Sequence, residues 1–405
     1  MKGFGARAAL IAFGVLLVRS TPAGAGTAAI DVRRIDPDPR TGASKFVVVE
    51  NENIALVHTA QILAYQQQTL VGKDHPEKQA AAVLENLDVA LRMAKSDSGG
   101  IVKLNVYLKT DGIRQSIEHV LAGRFHTGNA PAVTYVTGDL SDEPFALVAM
   151  DAVALSGSNA KSVSRSAPGP AGMADCAVLP AGPRIYISGM ADTNELIAAT
   201  GKTLEKLIAA AAHLGVDRKD IVQLKVFLQP IHAAVSVRRV IAKFFDDKAP
   251  PLVFVEWISP PPNPPVEIEL IAAARGEGPD QQETVSFLTP PGTTSTKVFS
   301  RVARVNSGKM IYFSGLSGSA GQNGTDQTRE ILQSLRSLLP GAGTDFEHLV
   351  KATYYVSDDE ASNALNEIRL EFFNPLRPPA ASKAKVRGAG LAGRKICVDM
   401  IGVTK

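Results

Sequence analysis

Three segments of the chain share one strand signature: IVKLNVYL from Ile101, IVQLKVFL from Ile221 and LVKATYYV from Leu349. Each is rich in β-branched and aromatic residues with partial alternation, which suits a pleated, half-buried surface. Their starts lie about one small domain apart, so internal repetition decides the fold before any single motif does. An amphipathic helix is predicted before each strand. Its apolar positions are Leu84, Leu87, Leu91 and Ala94, then Leu204, Leu207, Ile208 and Ala211, then Ile331, Leu335, Leu338 and Leu339. That three-to-four spacing makes a stripe that can lie on a sheet. A second helical stripe follows each strand: Ile113, Ile117, Val120 and Leu121, then Val235, Ile241 and Phe244, then Ala361, Leu365, Ile368 and Phe372.

Each unit next shows a proline start signal, at Ala130-Pro131-Ala132, Ala249-Pro250-Pro251 and Pro378-Pro379-Ala380. A strand, a loop and a closing strand follow; the closing strands are FALVAMDAVAL from Phe145, VEIELIAAA from Val266 and KICVDMIGV from Lys395. Each unit opens with a hairpin ending in IALVHTAQ (from Ile54), RIYISGMAD (from Arg184) or MIYFSGLSG (from Met310). The pattern predicts an α+β fold of three β-β-α-β-α-β-β units, over 26–155, 173–274 and 297–405. Stretches 156–172 and 275–296, rich in Gly, Pro, Ser and Thr, read as linkers. Helices on one face of a sheet leave the other face bare. The three bare faces are expected to meet around a pseudo-threefold axis within one chain, which would then be a monomer.

Composition narrows the function. Of 405 residues, 45% are apolar and 20% charged, as in globular proteins. Lys plus Arg number 43 and Asp plus Glu 40, and Lys2, Arg7 and Arg19 account for the excess. A balanced remainder argues against a broad basic face, so no nucleic-acid partner is expected. Two cysteines exclude a disulfide-dense scaffold and a Cys-based zinc site. The first 25 residues read as an export signal: basic Lys2 and Arg7, an apolar run from Ala8 to Val18 too short to span a bilayer, and small residues at Ala23-Gly24-Ala25. The mature protein is expected to be periplasmic or secreted and free of the membrane.

The order of elements, Ser188-Gly189 and Ser314-Gly315 after the opening hairpins, the Val102-Lys103 strand, the proline-led strand starts and Glu267-Ile268-Glu269 together resemble the RidA (YjgF/UK114) family in three tandem copies. The resemblance implies three chorismate-mutase-like units fused into a pseudo-trimer, with three non-identical clefts between them. It further implies hydrolysis of reactive imines and enamines of 2-amino acids, with neither cofactor nor metal. In the family an arginine after Pro-Ala clamps the substrate carboxylate, as its planar fork allows. A glutamate at the start of the closing strand handles water. Here Val133, Leu252 and Ala381 (Ala380 if the register slips by one) occupy the arginine position, and Glu267 alone keeps the glutamate, opposite Ala149 and Cys397. Thr59-Ala60 stands for Ser-Gly in the first unit, and the opening-strand aromatic falls on Phe46, Asp175 and Arg301. A lost charge-assisted bond removes about 1.5–3 kcal/mol, so small 2-imino acids should bind poorly.

The candidate site is therefore Glu267 as the catalytic group, with Ser188, Gly189, Ser314, Gly315, Val133, Leu252, Ala381, Arg301 and His58 around substrate. Arg301, Arg304 or Arg377 is the candidate replacement cation. His58 reads either as a cleft residue or as a hydrogen-bonded core histidine. Cys397 reads as a thiol at the glutamate position or as a small buried hydrophobe, and a disulfide to Cys176 is a further option. Glu267 and Glu269 share a strand face; they either perturb each other's ionisation or sit solvated at an edge. Two functions stay open: an exported RidA-like hydrolase of altered substrate and reduced activity, or a non-catalytic binding protein on a degenerate scaffold. In both the partner is a small molecule.

Overall fold

A computed structural model describes residues 31–167, 169, 171–259, 262–276 and 282–405. The expected export signal, and Pro260 and Pro261 of the proline run, lie outside the described residues.

The predicted helices form where the apolar stripes place them. The long ones are Pro76–Met93, Leu196–Ala212 and Gly324–Ala342, and the short ones Arg114–Arg124, Ala234–Phe244 and Asp359–Ile368. Pro76 starts the first, where its missing N–H is no loss. Asn323 caps the fifth by accepting from the Asp326 amide at 2.8 Å. Gly343 ends that helix at φ 75°, a left-handed position that favours glycine.

Each central strand (Ile101–Leu108, Ile221–Leu228, Leu349–Val356) pairs in parallel with an edge strand (Ala132–Thr137, Leu252–Glu256, Ala380–Lys385). On its other side it pairs antiparallel with a closing strand (Val148–Ser156, Val266–Ala273, Ile396–Val403). Next to the closing strand lies an inner strand (Ala55–Thr59, Arg184–Ala191, Met310–Phe313). The sequence predicts that each inner strand closes a hairpin with the strand before it. Instead, the chain crosses between sheets over 50–54, 180–183 and 306–309. Cys176–Leu179 and Ser164–Arg165 complete the first unit's sheet, and Val302–Val305 and Val285–Leu288 complete the second's. The N-terminal pair Phe46–Val49 and Val32–Ile35 completes the third. Each unit thus hands its first two strands to the preceding sheet, and the ring closes on itself. Both expected linkers supply edge strands, so the sheets cut across the sequence units.

Apolar residues fill both faces of each sheet. Leu87 and Leu91 of the first long helix pack with Leu104 of the central strand, with equivalents in the other sheets. Val47, Leu56, Val153, Tyr186, Ile271, Tyr312 and Ile401 form one core inside the ring, with contributions from all three units. Beside it lies a buried charged cluster of Lys103, Lys225, Lys351, Asp151, Glu269 and Asp399, each less than a tenth exposed. Lys103 Nζ meets Asp399 at 2.5 Å and donates to the Phe313 carbonyl at 2.6 Å and Thr134 Oγ1 at 2.7 Å, so it ties the first unit to the third. Lys351 meets Glu269 at 2.7 Å across the second and third. Buried charge is tolerated only when paired in this way.

Candidate functional site

A cleft forms wherever an inner strand ends against the edge strand of the next unit. Backbone bonds fix the correspondence. The Ser188 amide donates to Arg301 O at 3.0 Å, Ser314 to Lys45 O at 2.9 Å, and Ala60 to Asp175 O at 2.7 Å. One residue on, Gly315 donates to Val133 O at 3.0 Å and Gln61 to Leu252 O at 2.9 Å. The first unit's counterpart of Ser-Gly is therefore Ala60-Gln61, not Thr59-Ala60, and the residue matching Asp175 and Arg301 is Lys45, not Phe46. A one-residue shift turns every side chain to the other face of a strand. His58 pairs with Val153 as Tyr186 pairs with Ile271, and so faces the ring interior. It is 1% exposed and neither ring nitrogen has a partner among the described residues. Burial, with the Arg184 charge nearby, pushes its pKa down to about 3, so it stays neutral. His58 is thus a core residue that faces the ring interior and turns away from the clefts.

The cleft between the first and second units is plugged. Gln61 stands where the other units have glycine. Its Nε2 donates to Phe254 O at 3.0 Å and its Oε1 accepts from the Phe254 amide at 3.4 Å. Leu252 is buried in the helix-side core beneath, and Ala149 is buried at the glutamate position.

The cleft between the second and third units holds Glu267. Its carboxylate lies over Gly189, where a Cβ would come within 1.9 Å of Oε1, so a larger residue there would push the Glu267 side chain out of its present place. Arg301 reaches the same spot: Nη1 donates to Gly189 O at 2.6 Å and Ser188 Oγ at 3.1 Å. Burial, and then the negative charge of Glu269, push the Glu267 pKa up to about 7. Glu269 is no solvated edge charge: it is buried, pairs with Lys351, and accepts from Ser382 Oγ at 2.7 Å. Ser382 in turn accepts from the Gly189 amide at 3.0 Å, which puts Ala381 and Ser382 beside Glu267. Leu252 and Glu267, neighbours in one repeat, thus serve different clefts, because each cleft joins one unit's inner strand to the next unit's edge strand. Arg304 is engaged with Asn306 and Gly276 O, and Arg377 with Glu283 and Val285 O; neither supplies the cation here.

The cleft between the third and first units is open, a cavity of about 370 Å³ lined by Lys45, Arg114, Val133, Tyr135, Ser314, Gly315, Arg394 and Cys397 among others. Val133 N donates to Ser314 Oγ at 2.7 Å, which seams the two walls. Burial, with the Asp399 charge, pushes the Cys397 thiol up to about 12, so it stays protonated at neutral pH. Cys397 and Cys176 are both free and buried, and form no disulfide. Sequence reasoning missed Gln61, Ser382, Arg114 and Arg394. A glutamine aligned to two glycines is a readable signal once the register is right, whereas Arg114 and Arg394 come from a helix and a loop with no local mark.

The family described as Endoribonuclease L-PSP matches the chain three times, over residues 39–156, 165–274 and 293–403. Among curated relatives, Protein DfrA of Myxococcus xanthus is 27% identical over 117 residues, covering 26% of this chain and 85% of that protein. A RutC family protein of Pyrococcus horikoshii is 32% identical over 53 residues, covering 13% of this chain and 42% of that protein. Among solved structures, the Rid family protein YyfB of Yersinia pestis is 22% identical, with 31% of this chain and 99% of that one covered and a TM-score of 0.27. Rv2704 of Mycobacterium tuberculosis, from the YjgF/YER057c/UK114 family, is 22% identical, with 30% and 99% covered and a TM-score of 0.22. Three matches spanning most of the chain show that it belongs to the Endoribonuclease L-PSP family, the RidA/YjgF group, as three fused copies.

Proposed function

We infer that the chain is a RidA-type hydrolase of small imines or enamines with one working cleft, the one between the second and third units. The observation that carries this reading is that Glu267 and Arg301 converge on Gly189, a carboxyl raised to about 7 by burial within the field of a cation held on the Gly189 carbonyl. At neutral pH Glu267 is about half ionised and suited to move protons. It takes a proton from water as the oxygen adds to the C=N carbon. That proton passes to nitrogen to give a carbinolamine; Glu267 then takes the proton of the new hydroxyl and hands it to the amine, so that the C–N bond breaks, ammonia leaves and a carbonyl forms. Arg301 faces the anionic end of a substrate, in place of the arginine absent from position 381. Because Arg301 also holds Ser188 and Gly189, it is a weaker clamp than a free guanidinium, which supports altered substrate and reduced rate. The plugged first cleft and the thiol at position 397 favour a second, non-catalytic role for the remaining surface. We further read the first 25 residues as directing export.

The test is ammonia release from 2-iminopropanoate generated in situ by an amino-acid oxidase. Slow turnover is expected in the purified chain and none in Glu267→Gln. Equal turnover in both would overturn the assignment.

A further inference from the structure

We propose that a pocket at the far ends of the three edge strands is a separate small-molecule site, which takes an uncharged aromatic ring on Trp257. The clefts lie at the opposite strand ends, where Val133, Leu252 and Ala381 stand. At the far ends the three units meet. Thr137 bridges Gly388, the Ile258 amide donates to Lys385 O at 2.8 Å, and the Asp139 amide donates to Glu256 Oε2 at 2.9 Å. The pocket there holds about 470 Å³, the size of a small-ligand site, and Pro230, Ile231, Trp257 and Ile258 give it an apolar lining.

Trp257 departs from its counterparts. Its amide donates to Leu228 O at 3.0 Å, as Gly138 does to Leu108 O at 2.9 Å and Val386 to Val356 O at 2.8 Å. One position thus carries glycine, tryptophan and valine in turn. Three identical units would have to place the same residue there three times, whereas a fused chain can set one large ring beside small neighbours. Gly138 matters for this, since a Cβ on it would come within 3.0 Å of Glu256 Oε2. Trp257 packs against the buried cluster that includes Phe227 and Val255, yet is itself only half-buried. Its indole N–H has no partner among the described residues.

The charges of the wall are spent on one another. Arg387 meets Glu256 at 2.6 Å and Asp139 at 2.5 Å, and Lys109 takes the other Asp139 oxygen. Two cations answer two carboxylates, so a charged ligand would find no free partner and would give up its hydration for nothing. What remains is the indole face, its N–H, and the exposed His232 ring at the rim, which can donate or accept. Stacking on the indole with one hydrogen bond from its N–H to a carbonyl describes a neutral aromatic amide or ketone.

Trp257 is the one tryptophan of the chain, so its fluorescence reports this pocket directly. Titration with benzamide, benzoate, benzylamine and cyclohexanecarboxamide tests the proposal. Benzamide should change the emission saturably. The same ring bearing either charge, and the amide without an aromatic ring, should bind about tenfold more weakly or worse. Isothermal titration should lose the benzamide heat in Trp257→Leu. Ile258→Arg, at a position exposed enough to bear a charge, should lose it too, and decides the matter if Trp257→Leu does not fold. Glu267→Gln should keep it, so failure of the hydrolase reading and failure of this one are separable. An emission that benzamide leaves unchanged, equal binding of benzamide and benzoate, or benzamide binding kept in both pocket variants would overturn the proposal.

Discussion

Replacing Glu267 by glutamine should stabilise the protein at alkaline pH while removing its activity. The sign follows from the direction of the shift. A carboxyl ionising near 4.5 in the unfolded chain and near 7 in the fold is neutral in both states at low pH. As pH rises past 4.5 the unfolded chain loses the proton first and is favoured; the penalty grows until pH 7 and is constant above it. Each tenfold in the dissociation constant is about 1.4 kcal/mol, which sets an upper bound of about 3 kcal/mol. The side chain is half-buried, and solvent screening brings this to about 1–2 kcal/mol. Glutamine keeps the shape, never ionises, and escapes the repulsion of Glu269. For a chain of this size the gain is a rise in Tm of about 1–3 °C. Calorimetry of both proteins at pH 4.5 and pH 8 checks it: the two should melt together at the lower pH, with the variant higher at the upper. A variant that is less stable at pH 8, or equally shifted at both, refutes the account of Glu267 as a strained, acid–base-ready carboxyl.

Other outcomes follow from the same geometry. Ala381→Arg should raise imine hydrolysis by restoring a free clamp beside Glu267, whereas Leu252→Arg, in a different cleft, should not; steady-state kinetics of the two variants decides. Lys103→Met strands Asp399, which burial pushes up and Lys103 and Lys225 hold below its ordinary value, and should destabilise by about 3–5 kcal/mol at pH 7. Adding Asp399→Asn should recover part of that loss in denaturant melts. Deleting residues 31–49 removes the strands that cover Met310–Phe313 and should give association detectable by light scattering, since a bare strand edge recruits partners. Mass spectrometry of exported protein should find a new N-terminus near residue 26; full-length protein held in the cytoplasm would contradict the export reading.

The helices and strands were legible because their apolar spacing is strict and occurs three times. The strand exchange was not. Crossings of four or five residues at 50–54, 180–183 and 306–309 suit a hairpin as well as a bridge to the next sheet, and only the ring decides between them. Glu267 and Arg301 were readable as types and positions, and both come to Gly189. Pairing Glu267 with Leu252 failed because proximity in a repeat is not proximity across a ring. His58 misled because an inner strand has two faces and its register could not be fixed without its neighbours. Arg394 carries no sequence sign at all; only its place in the cavity between the third and first units marks it.

The ring also imposes an order of events during synthesis. The first sheet has all its strands once Leu179 is made, and the second once Val305 is made. The third needs both Phe46–Val49, the chain's early strand, and Met310–Phe313, about 260 residues later. At about 5–20 residues per second that interval is about 13–50 s, during which the earliest hairpin has no sheet to join. Its four consecutive apolar residues, Phe46-Val47-Val48-Val49, are meanwhile an adhesive edge. A second nascent chain offering Met310–Phe313 would satisfy it equally well. Dilution during folding should therefore favour closed single chains, and crowding should favour linked ones built from the same three sheets.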